Sequence, residues 1–244
     1  MTDKNSIEYP FGFDHSHIRL SWDDELLIHL IDNLEKLSDD GYCIDIGAGN
    51  GSWEGIIKQR GYNWVGIDVN PSEKVLFADA HDLPFEDKTF DLVLINKVLR
   101  YLHHPWKAMQ EINRVLKNES YLIGCVSFLE PFDNTYYQFS HWGIKQLLED
   151  SGFTVISIIP GTSVFRTLVH NLIMPGPSTL ESILVACIIP PFMLLRKILG
   201  WAFIFIKYGK KSDEYKKFVL SFDKLPLKLA GHIIFLAKKT NEST

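Results

Sequence analysis

An apolar run, Cys43-Ile44-Asp45-Ile46, breaks into Gly47-Ala48-Gly49-Asn50-Gly51, and a second apolar run, Val65-Gly66-Ile67, ends on Asp68. Few patterns restrict a fold so tightly. Short apolar runs that stop at a glycine-rich turn or at an acid read as buried strands of a parallel sheet. The glycines let the backbone come close to whatever lies above the strand ends. This is the layout of a nucleotide-type ligand lying across the carboxyl ends of two parallel strands.

The glycine spacing and the early acid decide which nucleotide. A dinucleotide fingerprint wants Gly-x-Gly-x-x-Gly, so that a pyrophosphate can sit on a helix N-terminus. Here the spacing is Gly47-x-Gly49-x-Gly51, and Asp45 stands just before the loop. A carboxylate aimed at a pyrophosphate repels it, whereas it suits a ligand carrying an ammonium and a sulfonium. Asp68, at the end of the next strand, is placed to accept hydrogen bonds from a ribose diol.

On these residues the chain resembles the class I S-adenosylmethionine-dependent methyltransferases. The resemblance continues past the loop. Phe77-Ala78-Asp79-Ala80-His81-Asp82-Leu83-Pro84-Phe85 is similar to the family's third motif. Phe90-Asp91-Leu92-Val93-Leu94-Ile95-Asn96 looks like its fourth strand, Glu111–Lys117 like the helix after it, and Tyr121–Val126 like its fifth strand. The match runs from about Gly41 to Pro160, with a return near the C-terminus. It implies S-adenosylmethionine as cofactor, held by Asp45, Gly47, Ala48, Gly49, Gly51, Asp68, Val69, Asp79, Ala80 and Asn96. Asp79 is expected near the adenine amino group and the backbone of Ala80 near the ring, with Asp82 the nearby acid that competes for the role.

The expected fold is α/β, a Rossmann-like, seven-stranded, mostly parallel sheet with helices on both faces and a final antiparallel strand. Strands are expected at Tyr42–Ile46, Trp64–Asp68, Lys74–Ala78, Leu92–Asn96, Tyr121–Ser127, Phe153–Ile159 and His232–Lys238. Helices are expected at Trp22–Leu37, Ser52–Arg60, Trp106–Leu116 and His141–Asp150. The chain then reads as one methyltransferase domain over 1–244. It comprises an N-terminal irregular segment and helix (1–40), a cofactor-binding core (41–160), an apolar helical insert (161–230) and the final strand (231–239). The insert is long enough to need structure of its own. Thr179–Ile189 and Phe192–Ile206 read as apolar helices broken at Pro190-Pro191, followed by Lys207, Lys210, Lys211, Lys216 and Lys217. Three readings of it stay open: a lid packed on the core or on a second copy of the chain, a peripheral membrane patch attracted to an anionic leaflet, and a full span.

Composition narrows the class. The net charge of −5 offers no general attraction to nucleic acid, so no nucleic-acid partner is expected. Met1–Pro10 is polar and lacks a secretory apolar core. Cys43, Cys125 and Cys187 read as reduced core residues of a cytoplasmic protein, membrane-associated if the insert is a patch. No Cys/His spacing suggests zinc, and no metal is expected.

The acceptor side is less legible. Asn96 to Tyr101 leave the fourth strand at the cleft edge, without the Asn-Pro-Pro-Tyr or Asp-Pro-Pro-Tyr of adenine- or glutamine-methylating relatives and without the Pro-Cys of cytosine C5 enzymes. Many relatives place His where Tyr101 stands. Tyr101, His103 and His104 are candidate catalytic residues, although adjacent His residues at a helix start are more often solvated or capping groups. Tyr101, His141 and Trp142 are candidate substrate-binding residues, with a core role the bland alternative for Trp142. His15 and His17 lie in a segment that in relatives folds over the cofactor. The expected activity is in-line methyl transfer to a small or lipid-like acceptor. The alternatives are a cofactor-binding module without turnover, and a nicotinamide-dependent oxidoreductase, which Asp45 and the glycine spacing disfavour.

Overall fold

The computed structural model describes residues 21–35, 40–130, 135–164 and 229–240, with scattered helical positions between 191 and 227. The elements run α1 (Trp22–Asp32), β1 (Tyr42–Ile46), α2 (Glu54–Lys58), β2 (Asn63–Asp68), β3 (Val75–Phe77) and β4 (Phe90–Asn96). They continue with α3 (Pro105–Val115), β5 (Leu116–Ser127), α4 (His141–Asp150), β6 (Phe153–Pro160) and β7 (His232–Lys239). The strands form one sheet in the order β3-β2-β1-β4-β5-β7-β6. All pairings up to β5 are parallel, and β7 runs antiparallel to both β5 and β6.

The apolar runs produce this sheet because they are covered on both faces. Along β4, Leu92 and Leu94 join a core with α1 and α2, while Val93 and Ile95 join a second core with α3 and α4. In α3 the buried Ala108, Met109, Ile112 and Val115 recur at helical spacing, and Pro105 opens the helix, where no N–H is required. Ser21 and Asp24 form a reciprocal capping box at the start of α1.

Several boundaries differ from expectation. Helix α1 stops at Asp32, not Leu37, because the Asn33 side chain donates to the His29 carbonyl and ends the ladder. Helix α2 shrinks to Glu54–Lys58 because Gly51 holds a positive φ and leaves Ser52 and Trp53 in turns. Strand β5 reaches back to Leu116, which pairs with Phe90. Cys43 and Cys125 are buried free thiols, as expected; Cys187 lies outside the described residues, as do His15, His17 and most of 161–230. Among the described residues no helix is long and apolar enough to cross a membrane.

The exit from β6 and the entry to β7 are stitched together. Ser163 bridges Ala230, the Val164 N–H donates to the Leu229 carbonyl, and the Gly231 N–H donates to the Thr162 carbonyl. His232 pairs with Ser127 at the carboxyl end of β5. The segment between Val164 and Leu229 therefore departs from and returns to one paired neck, on the sheet edge where the parallel strands end.

Candidate functional site

From β1 the chain turns to β2 and β3 on one side of the sheet, and β4 then starts the other side. A crevice opens outside the carboxyl ends of the strands at such a switch point. Register places the ends of β1 and β4 side by side, with Ile46 opposite Ile95, and the end of β2 on the other flank, with Ile46 opposite Ile67. A cavity of about 600 Å³ lies there, a size ordinary for small-molecule sites.

Eight expected residues line this cavity: Gly47, Asp68, Val69, Asp79, Ala80, Asn96, Tyr101 and His103. Asp45, Ala48, Gly49, Gly51, His104, His141 and Trp142 stand outside its lining. Asp79 lines it and Asp82 does not. Trp142 is 67% exposed, so the core role is corrected: it sits in the first turn of α4, ahead of the buried Ile144, Leu147 and Leu148. His104 is the N-cap residue of α3, yet its side chain makes no capping bond.

The glycine loop is held from below. The Gly47 and Ala48 N–H groups donate to the Ile67 carbonyl, at 2.8 and 2.9 Å. The Gly49 N–H donates to Asp68 Oδ2 at 3.0 Å, and the Asn70 N–H donates to Oδ1 at 2.8 Å. Asp68 thus fixes the loop while its remaining lone pairs face the cavity it lines. Gly47 adopts φ +71°, and a Cβ there would lie 2.2 Å from Val98 Cγ2, another cavity-lining atom group. Gly47→Ala is expected to cost about 1–3 kcal/mol in thermal unfolding, from left-handed strain and overpacking.

Asp45 is buried behind the loop and accepts from Trp64 Nε1 at 3.2 Å. Burial pushes its carboxyl up to about 7; the indole hydrogen bond opposes this and the neighbouring Asp68 charge adds to it. Asn96 closes the other side. Its Nδ2 donates to Asp24 Oδ1 at 3.1 Å. A carboxylate only accepts, so this bond sets the amide's orientation. Asn96 Oδ1 is then a buried oxygen with no partner among the described residues. An orphaned acceptor beside a carboxylate-lined cavity fits a ligand with hydroxyl and ammonium donors.

Two arrangements escaped the sequence reading. His81 Nδ1 lies 2.6 Å from Asp79 Oδ1, and its Nε2 accepts from the His104 N–H at 3.3 Å, joining the loop after β3 to the start of α3. Beyond the cavity wall lies an ionic cluster. His232 sits between Asp23 Oδ2 (2.6 Å) and Glu130 Oε2 (3.0 Å). Glu130 also accepts from Ser127 and from Arg100, and Arg100 donates to the Tyr101 hydroxyl at 2.8 Å. Asp23 further accepts from the Thr162 N–H and pairs with Lys97. The cluster joins α1, the neck of the long segment and the cavity wall.

Residues 44–124 match the family model described as "Methyltransferase domain". The chain is 34% identical over 106 residues to a sterol 4-C-methyltransferase of Caenorhabditis elegans, covering 36% of this chain and 31% of that one. It is 32% identical over 108 residues to a demethylmenaquinone methyltransferase of Protochlamydia amoebophila, covering 43% of each. The chain thus spans less than two thirds of these relatives' lengths. The fold is similar to that of Haemonchus contortus phosphoethanolamine N-methyltransferase 2 solved with S-adenosyl-L-methionine, at a TM-score of 0.53 and 15% identity, over 89% of this chain and 53% of that one.

Proposed function

The chain belongs to the class I S-adenosylmethionine-dependent methyltransferase family, and on that footing we propose that it transfers a methyl group from this cofactor to an oxygen, nitrogen or carbon of a small or lipid-like acceptor. The observation that carries the reading is the cavity at the switch point, lined by Asp68 from the end of β2 and by Asn96 from the end of β4. These residues fit the cofactor: Asp68 toward a ribose diol, the Asn96 oxygen toward an ammonium, and Asp79 with Ala80 toward the adenine. When bound, the cofactor supplies a sulfonium-activated methyl group.

The protein's own contribution is alignment, which is worth roughly 7–11 kcal/mol for well-oriented reactants. Gly47, Val98, Tyr101 and His103 all line the cavity. His103 stacks on Tyr136 with ring centroids 4.1 Å apart and is the candidate base for an acceptor that keeps its proton. A carboxylate acceptor needs no base. A lipid-like acceptor is supported by the relatives named for sterol and demethylmenaquinone methylation, and by the neck of the apolar segment at the cavity's edge of the sheet.

Calorimetric titration with S-adenosylhomocysteine tests the cofactor, and tritiated-methyl transfer to fractionated extracts tests the acceptor. Absence of binding to the folded protein overturns the reading. Asp45 adds a pH signature. Its folded value of about 7 lies above the ordinary 3.8, so its protonated form is favoured in the ligand-free protein, and its contribution to stability is lost as pH rises through 7. The net-cationic S-adenosylmethionine beside the loop favours the carboxylate, so its affinity is expected to rise several-fold from about pH 6 to pH 8. Asp45→Asn is expected to flatten that profile.

A further inference from the structure

His81 lines the cavity, and both nitrogens of its ring are engaged. Asp79 Oδ1 accepts from the His81 N–H at 2.9 Å and lies 2.6 Å from His81 Nδ1. On the other side of the ring, Nε2 accepts from the His104 N–H at 3.3 Å. A nitrogen that accepts carries no proton, so the neutral ring holds its proton on Nδ1 and donates it to Asp79. An imidazolium would set its Nε2–H against the His104 N–H. The two bonds together select one tautomer.

Each bond constrains part of the cavity's lining. Both contacts of Asp79 Oδ1 go to His81, which leaves Oδ2 for whatever occupies the cavity. The Asp79 side chain is 55% exposed, so these bonds, more than packing, set its direction. At the other end, His104 is the N-cap residue of α3 and makes no side-chain capping bond. Its N–H bond to His81 anchors the corner Leu102-His103-His104, of which Leu102 and His103 line the cavity. The His81 side chain is only 16% exposed and meets the His104 ring edge-on, with centroids 6.1 Å apart. One side chain thus joins two stretches of the lining that lie 23 positions apart in sequence.

We propose that His81 is a positioning residue, which as the Nδ1–H tautomer aims Asp79 at the bound cofactor and ties the loop after β3 to the His103-His104 corner. The aim at a cofactor rests on the methyltransferase reading above; the tie to the corner does not. The two nitrogens allow the two tasks to be separated. In His81→Asn the amide nitrogen takes the place of Nδ1 and keeps the bond to Asp79, while nothing reaches His104. In His81→Gln the longer amide brings an oxygen to the place of Nε2 and keeps the bond to His104, with no donor left at the place of Nδ1.

The test uses the full chain, with S-adenosylhomocysteine as the probe. Nitrogen NMR of the histidine rings is expected to show His81 protonated on Nδ1 and bare on Nε2. In calorimetry His81→Ala and His81→Gln are expected to weaken binding about fivefold or more, and His81→Asn less than about twofold. Exchange of the His104 amide proton is expected to quicken about tenfold in His81→Ala and His81→Asn, and to keep the parent rate in His81→Gln. The reverse tautomer, equal affinity in all four proteins, or an amide rate unmoved by His81→Ala overturns the proposal. So does the same loss of affinity in all three variants, the pattern of a ring that only fills space. A folded parent with no affinity for S-adenosylhomocysteine would sink the methyltransferase reading and the aim of Asp79 with it, while the His104 amide would still decide the tie.

Discussion

Asp68→Ala is expected to weaken S-adenosylhomocysteine binding about a hundredfold or more in calorimetry. A hydrogen bond to a charged acceptor contributes roughly 1.5–3 kcal/mol, and a ribose diol offers two. The same carboxylate holds the Gly49 and Asn70 N–H groups, so its loss also frees the loop that the ligand rests against. Asp68→Asn keeps an acceptor for one hydroxyl and should fall between parent and alanine variant. Parent-level affinity in Asp68→Ala would remove the ribose role and with it the main reason for reading the loop as a sulfonium-cofactor site.

His232→Ala is expected to be the most destabilising single change in the ionic cluster. Removing one member of a buried, paired set typically costs about 3–5 kcal/mol, because a charge is left without compensation. For a chain of this length that lowers the midpoint of thermal unfolding by roughly 10 °C. Here the charge that loses a partner is Asp23, which is 1% exposed and keeps Lys97 and Thr162, so the cost is expected toward the lower end of that range. Burial opposes its ionisation, yet His232, Lys97 and the Thr162 N–H hold its carboxyl well below the usual range. Glu130 is likewise half-buried and brought down to about 2 by His232, Ser127 and Arg100. His232 is pushed upward by its two carboxylate partners against the effect of burial.

These shifts set the pH dependence of stability. The depressed carboxyls stabilise above their ordinary range, and that contribution is lost as pH falls through their folded values. The raised His232 stabilises fully below its ordinary 6.5 and loses its contribution as pH rises through its folded value. The cluster taken alone should therefore stabilise most between about pH 4.5 and 6.5. The Asp45 contribution falls away from its ordinary 3.8 up to about 7, which puts the optimum of the ligand-free protein at the acid end of that window. In His232→Ala the decline on the neutral side should shrink to the part that Asp45 contributes. A melting profile unchanged by the substitution would show that the cluster is solvated in solution.

The parallel core was legible because its strands are covered on both faces and so appear as continuous apolar runs; β1 begins and ends where those runs do. The lining of the cavity was legible for a related reason. Gly47, Asp68 and Asp79 leave successive strand ends, so chain order alone places them together. The ionic cluster was not. Asp23 and His232 are separated by 209 positions, and no spacing rule connects the first turn of a helix with the first residue of the last strand. Arg100 and Glu130 carry no motif either; they meet because a helical turn after β4 and the end of β5 share one sheet edge. His81 was visible only as a letter inside a motif, although its two ring nitrogens bridge two elements. Trp142 misled in the opposite way, since its size suggests burial while the α4 pattern reserves the inward face for Ile144, Leu147 and Leu148.

The paired neck has an evolutionary meaning. Where two chain ends already meet in hydrogen-bonded register, doubling the length of the segment between them costs only about 0.6 kcal/mol in closure entropy. Descent can therefore lengthen, shorten or replace whatever lies between Val164 and Leu229 while Ser163 and Ala230 keep their bridge. Such a joint lets a lineage replace the intervening segment without disturbing the sheet it springs from.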